Sequence, residues 1–296
     1  MAILINNNTK VLVQGITGKE GQKAAQAMID YGTDVVGGVR PGKGGEEIFG
    51  KPVFNTVKEI VDAIVGITIS TIYVPPFAAK EAIMEAIEAG IPFINTIVER
   101  IPIKDTAYCL AAAREKNIRI IGPSSLGFIS PGLGRVGVVG GLKVDEVYAS
   151  GSIGIISRSG GMTNEISWQI RKAGMGQSTA IHVGGDLLMG TTYGDLLSMF
   201  QKDEQTKAVV LFGEHGGSYE FEIVEMIKNK EFTKPIAIYV GGKFANVLPE
   251  GMNIGHAGAI VAKGQGAEEK EKALAEVGAM IAGSYEELVE LVKPFR

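Results

Sequence analysis

Short apolar runs rich in β-branched residues alternate with helical patterns along this chain, and the alternation happens twice. Candidate strands at 11–14, 34–39, 68–74, 93–97 and 119–122 are separated by candidate helices at 20–31, 57–65, 77–89 and 104–116. A glycine-rich stretch, 123–151, breaks the rhythm and reads as a connection with a small hairpin around 134–141. The rhythm then returns, with strands at 153–157, 179–183, 208–213, 235–240 and 259–262 and helices at 162–173, 195–201, 221–230, 268–277 and 285–292. Strands separated by helices build βαβ units and parallel sheets. With 296 residues, more than a typical single domain, the expectation is an α/β chain of two doubly wound domains in tandem. The boundaries are 1–125, a connection at 126–150, and 151–296.

Ligands in doubly wound folds bind beyond the carboxyl ends of the strands, and the distinctive segments fall at those ends. The first strand runs into Gly15-Ile16-Thr17-Gly18-Lys19-Glu20-Gly21, a glycine turn opening a helix. Free N–H groups and the helix dipole make such a place an anion site. The spacing GxxGxxG is not the dinucleotide GxGxxG, and the second strand ends in Arg40-Pro41-Gly42-Lys43 with no carboxylate before Glu46. Two cations there suit a ligand with a phosphate on its ribose, NADP or coenzyme A, better than NAD. Tyr73-Val74-Pro75-Pro76 after the third strand and Ile97-Val98-Glu99 after the fourth offer room for an adenine or pantetheine arm.

In the second half, Gly255-His256-Ala257-Gly258-Ala259 places one of only three histidines between glycines. An imidazole on such a loop can act as a covalent carrier. Ser159-Gly160-Gly161 opens a helix whose free N–H groups can hold a phosphate or a substrate carboxylate. Glu214, on the loop after a strand, can hydrogen-bond an imidazole nitrogen and fix its tautomer.

Composition narrows the function classes. A net charge of −4 and a pI near 5.6 argue against a nucleic-acid binder. The single cysteine, Cys109, excludes an intrachain disulfide and fits a reducing compartment, with the cytoplasm as the expected location. Cys109 reads as a small core or interface residue. No apolar run reaches 18 residues, so no membrane span is expected, and the first residues lack the pattern of a signal peptide. The charged run Glu268-Glu269-Lys270-Glu271-Lys272 reads as a solvated helix face.

Taken in order, Thr17-Gly18-Lys19-Glu20-Gly21, Arg40-Pro41-Gly42-Lys43-Gly44-Gly45, Tyr73-Val74-Pro75-Pro76, Ser157-Arg158-Ser159-Gly160-Gly161, Gly184-Gly185-Asp186, Gly213-Glu214-His215-Gly216-Gly217 and the His256 segment resemble the α subunits of succinate–CoA ligases over nearly the whole chain. The resemblance implies a CoA-binding Rossmann-like domain followed by a flavodoxin-like ligase domain. It implies that His256 is phosphorylated and that Glu214 supports it. It implies CoA contacts from Gly15, Thr17, Gly18, Lys19, Glu20, Arg40, Pro41, Lys43, Tyr73, Val74, Pro75, Ile97 and Glu99, and phosphate or substrate contacts from Ser159, Gly160, Gly161 and Asn164. It also implies a β-type partner whose ATP-grasp site holds ATP or GTP with Mg, since this chain shows no GxxxxGK[ST] motif.

Departures from the family pattern cluster near the acid. Where succinate ligases typically read SRSGTLTYE, this chain reads Ser157-Arg158-Ser159-Gly160-Gly161-Met162-Thr163-Asn164-Glu165. Both Gly161 and Asn164 remove bulk, and Asn164 adds an amide donor and acceptor. The same pattern is similar to ATP-citrate lyase, which carries a further lyase domain that is not expected in this chain. The expected activity is therefore citrate–CoA ligase, with succinate as the alternative acid and malate a third. A non-catalytic CoA- or NADP-binding module would not need His256, Glu214 and the Ser159 helix start together. An NADP-dependent dehydrogenase would need an acid/base pair between the domains, and none is placed there.

Overall fold

The structure, a computed structural model, describes residues 3–244, 256 and 265–296. The first domain contains β1 (Lys10–Gln14), α1 (Lys19–Asp30), β2 (Asp34–Val39), β3 (Glu47–Ile48), β4 (Lys51–Phe54), α2 (Val57–Ala63), β5 (Ile69–Ile72), α3 (Ala79–Glu88), β6 (Phe93–Thr96), α4 (Ile103–Glu115) and β7 (Arg119–Ile121). The second contains β8 (Gly127–Ser130), β9 (Gly134–Gly137), α5 (Val144–Val147), β10 (Ser150–Ser157), α6 (Gly160–Lys172), β11 (Gln177–His182), α7 (Tyr193–Lys202), β12 (Ala208–Glu214), α8 (Glu220–Lys228), β13 (Ile236–Gly241), α9 (Ala267–Glu276), β14 (Met280–Ile281) and α10 (Tyr285–Val292). The expected strand at 259–262 lies outside the described residues.

The first sheet has the order β3-β4-β2-β1-β5-β6-β7, parallel except for the short β3–β4 hairpin. β1 pairs with β2 on one side and β5 on the other, so the chain changes direction across the sheet beside β1. The second sheet has the order β14-β13-β12-β10-β11-β8-β9. Its five parallel strands follow the flavodoxin-like order, with the reversal between β10 and β12.

Both sheets are covered on two faces, which explains why their strands are continuous apolar runs. Val11 and Val13 of β1 face the core that contains Ala24, Ala25 and Met28 of α1. Leu12, between them, joins Val57, Ile60 and Ile83 of α2 and α3 on the other face. The same period of two places Ile153 and Ile155 of β10 against α6 and α10. Ile156 faces α7 and α8.

The expected connection at 126–150 is not a linker. Its hairpin, β8–β9, pairs antiparallel with β11 and becomes the edge of the second sheet. It also packs on the first domain: the Thr33 hydroxyl donates to the Arg135 carbonyl at 2.8 Å and accepts from the Arg135 N–H at 3.0 Å. Periodicity marked a hairpin there, but its partner strand lies 50 residues on and left no local sign. The hairpin β3–β4 and the short β14 were not expected; two- to four-residue strands carry too little pattern to read. Among the described residues no helix is long and apolar enough to cross a membrane.

Candidate active site

β10 and β12 are neighbours, with Ser157 opposite Phe212, so their carboxyl ends deliver Arg158 and Glu214 side by side. Arg158 Nε lies 3.3 Å from Glu214 Oε2, and both side chains are buried. The other oxygen of Glu214 accepts a hydrogen bond from His256 Nδ1. The hydrogen bond to Glu214 raises the His256 pKa; burial opposes it, and Arg158 lowers it while Glu99 of the first domain raises it slightly. With Nδ1–H directed at Glu214, Nε2 is the imidazole nitrogen left as an acceptor. Gly185 lies against the ring: a Cβ there would be 2.7 Å from His256 Cγ.

The N-terminus of α6 starts two residues after β10. Ser159 caps it by accepting from Met162 N–H at 3.4 Å, and the Ser159 N–H donates to Ser157 Oγ at 3.0 Å. The first-turn N–H groups have no partner within the helix. Gly160 is packed, since a Cβ would be 2.4 Å from Leu126. Gly161 is exposed, and nothing but Ser159 Oγ at 4.0 Å would meet a side chain there. Asn164 sits a turn further along. Its Oδ1 accepts from Gly140 N–H at 2.9 Å and Tyr148 OH at 2.8 Å, so its carbonyl braces the 138–141 loop.

Sequence reasoning missed two charged residues that build this site. Arg158 stood inside the quoted Ser157–Gly161 motif, but no role was assigned to it. It is 1% exposed and also donates to the Asp186 carbonyl at 2.7 Å. Lys270 was read as part of a solvated face, yet it is fully buried and ion-paired with Glu220 at 2.5 Å. Burial lowers the Lys270 pKa, and Glu220 raises it again. A single lysine among four charged neighbours carries no local mark of facing inward.

The other two histidines are packing groups. His182 Nδ1 accepts from Leu126 N–H at 2.8 Å, so Nε2 carries the proton and donates to the Arg158 carbonyl at 3.0 Å. Burial pushes its pKa down to about 4. His215 Nδ1 accepts from Ala267 N–H at 3.1 Å, and burial lowers its pKa too. Cys109 is buried, and desolvation pushes its thiol up to about 11, far from a nucleophile's range.

At the carboxyl end of β1 lies a cavity of about 380 Å³, lined in part by Gly15, Arg40, Pro41, Val74 and Pro75. Gly15 has φ +82°, and a Cβ there would be 2.3 Å from the Tyr73 carbonyl oxygen, so the first strand can turn this tightly only with glycine. Val39 and Phe77 add apolar walls. Phe77 was hidden in the helix pattern and is strongly exposed at the rim. Thr17, Gly18, Lys19 and Glu20 lie in the turn and first residues of α1, where Glu20 pairs with Lys23 at 3.0 Å. Lys43 pairs with Glu46 at 2.7 Å in a loop whose Gly42 and Gly44 N–H groups both donate to Asn55 Oδ1. Tyr73 contributes its backbone to the Gly15 turn, while burial raises the pKa of its phenol. Ile97 is half-buried, and Glu99 is exposed and accepts from Ser124 Oγ at 3.2 Å. The cavity walls thus gather five of the residues expected to hold CoA; Thr17, Gly18, Lys19, Glu20, Lys43, Tyr73, Ile97 and Glu99 are not among those lining it.

Comparison with known proteins places the two halves. Residues 6–100 match the CoA binding domain family and residues 156–293 the CoA-ligase family. A Rossmann-like CoA-binding domain followed by a flavodoxin-like ligase domain defines a CoA ligase chain. A succinate–CoA ligase [ADP-forming] subunit alpha 1 from Archaeoglobus fulgidus is 45% identical over all of this chain and 98% of its own length. A succinate–CoA ligase [ADP-forming] subunit alpha from Aquifex aeolicus is 47% identical over 95% of this chain and 90% of its own. The chain belongs to the succinate–CoA ligase α-subunit family. Among solved structures, ATP citrate lyase from Methanosaeta concilii, a variant in complex with (3S)-citryl-CoA, superposes with a TM-score of 0.92 at 26% identity. The match covers 99% of this chain and half of that one.

Proposed function

We propose that this chain is the α-type subunit of a nucleotide-dependent acid–CoA ligase that works through phosphorylation of His256. The observation that carries the reading is the series Arg158–Glu214–His256, with a buried Arg158–Glu214 pair under a half-buried imidazole, at the reversal point of the second sheet. Glu214 holds Nδ1–H, so the Nε2 lone pair can attack the γ-phosphorus of ATP or GTP as the nucleoside diphosphate leaves. The N-terminal turn of α6 offers N–H groups and dipole to the transferred phosphoryl group. A carboxylate oxygen of the acid then takes the phosphoryl group, forming an acyl phosphate and freeing Nε2. The thiol of CoA attacks the acyl carbon, losing its proton, and inorganic phosphate departs. The chain's part is positioning and charge stabilisation.

The cavity beside Gly15 suits CoA: its walls are largely apolar, and Arg40 stands at its rim for a ribose phosphate. The relatives are named as alpha subunits of ADP-forming ligases, which supports a partner subunit; we place ATP or GTP with Mg on a β-type ATP-grasp partner. The cytoplasm is the fitting compartment.

Citrate is the acid we favour, because the open space at Gly161 leaves room for a larger polyacid than succinate, and the solved relative with citryl-CoA shares the fold. Asn164 serves this reading through the loop it braces, since its carbonyl is already engaged. Succinate is the second reading, favoured by relatives at 45% and 47% identity that are named for it. The deciding experiment pairs the chain with its ATP-grasp partner and assays ATP- and CoA-dependent acyl-CoA formation with citrate, succinate and malate. A preference for succinate would overturn the citrate assignment and leave the phosphohistidine route standing. No phosphate on wild-type His256, or equal labelling of His256→Asn, would overturn that route as well.

A further inference from the structure

Glu214 is held by its backbone as well as by Arg158. Its N–H donates to Glu220 Oε1 at 3.0 Å. Its carbonyl accepts from Lys270 Nζ at 2.6 Å. Lys270 also donates to the Gly216 carbonyl and to Glu220 Oε2, both at 2.5 Å, so its three ammonium protons all have acceptors. Neither side chain is exposed. One buried ion pair therefore grips Glu214 at both backbone polar groups. The fit is tight, because a Cβ on Gly213 would lie 2.9 Å from Glu220 Oε1.

The same helix holds other parts of the site. Gly216 N–H donates to the Gln265 carbonyl, and Ala267 N–H donates to His215 Nδ1. Glu271, next to Lys270, pairs with Lys243 at 2.7 Å. α9 thus ties the loop after β12 to the residues flanking the His256 segment on both sides. A buried ion pair is a poor way to gain stability, because desolvation offsets most of the attraction. Its strength lies in fixing geometry, since a misplaced partner leaves a charge buried and unmet.

We infer that Lys270 and Glu220 are positioning residues, and that their buried pair sets the Glu214 carboxylate against His256 Nδ1. The inference deepens the phosphohistidine reading and rests on it for its consequence, but not for its main test.

That test is the 15N spectrum of the full chain labelled at histidine, recorded for wild type, Lys270→Met and Glu220→Gln. In wild type the His256 signals report the Nδ1–H tautomer. In both variants the Nδ1–H preference is lost, while His182, held by the Leu126 N–H and the Arg158 backbone carbonyl rather than by the Lys270–Glu220 pair, keeps its Nε2–H pattern and shows that the fold is intact. Glu220→Gln keeps the shape but turns an amide toward the ammonium, so it decides the matter if Lys270→Met does not fold. His256 signals like wild type in a variant with an unchanged His182 pattern would overturn the inference. In the assembled enzyme, phosphorylation of His256 falls about 100-fold, the cost of a displacement near 1 Å, with KM for CoA unchanged. If wild-type His256 never takes phosphate, the proposed function fails, and the spectrum still decides the role of this pair.

Discussion

Replacing Gly185 by alanine is the sharpest test of where the His256 ring must stand. The added methyl would come 2.7 Å from Cγ, 2.8 Å from Cδ2 and 2.9 Å from Nδ1 of the imidazole. Carbon atoms rest about 3.5–4.0 Å apart, so the ring must retreat by about 1 Å. The Gly185 backbone is not in the left-handed region, so alanine meets no left-handed strain there, and the three nearest atoms to its methyl all belong to the ring. A retreat of that size takes Nδ1 out of line with Glu214 and moves Nε2 from its line of attack. Misplacement by about 1 Å costs roughly 100-fold in rate, or about 2.7 kcal/mol of barrier. The half-buried ring can move without opening the core, so the melting temperature should change little. The assay is transfer of label from γ-labelled ATP to the chain in the assembled enzyme, followed in a single turnover beside a melting curve. A labelling rate within twofold of wild type, in a protein of normal stability, would refute the placement of Gly185 against the ring.

Three further outcomes follow from the same geometry. Because the hydrogen bond that His256 donates to Glu214 raises the His256 pKa and only neutral imidazole can attack, phosphorylation weakens as pH falls through that raised value; Glu214→Gln moves the acid limb of the profile to lower pH and lowers the plateau, and an unmoved limb would count against the pairing. Arg40→Ala should raise KM for CoA about tenfold, as for a lost charge-assisted hydrogen bond, with little change for CoA lacking its ribose phosphate; equal losses for both would place Arg40 elsewhere on the ligand. His182 is held neutral, its pKa lowered from 6.5 to about 4, so the unfolded chain binds more protons between these values and stability drops as pH falls from 6.5 to 4, by about 3 kcal/mol from this group. His182→Gln, which can accept from Leu126 and donate to Arg158, flattens that part of the denaturation profile; an identical slope would show that His182 is not the proton-sensitive group.

Much of the candidate site is legible in the sequence. The glycine turn at Gly15 and the placement of Arg40, Val74 and Pro75 at strand ends follow from where apolar runs stop, and the cavity forms there. The pairing of Glu214 with His256 was expected from the motif order and the structure brings them together. Lys43 and Glu99 were expected at the same ligand because each follows a strand end and matches the family motifs. In this structure their side chains meet Glu46 and Ser124, outside the cavity walls. A strand end places a backbone, but a loop's own hydrogen bonds aim the side chain.

The sequence by itself determined the two wound units, because burial on alternating strand faces and on one stripe of each helix writes a local period into the chain. It also determined which glycines stand at strand ends. Tertiary structure alone decided that Arg158 lies under Glu214, that Lys270 points into the core, and that the 127–137 hairpin completes the second sheet. Those contacts join residues about 50 to 56 positions apart, and they exist only because β10, β12 and α9 converge in an order that no short window of sequence contains.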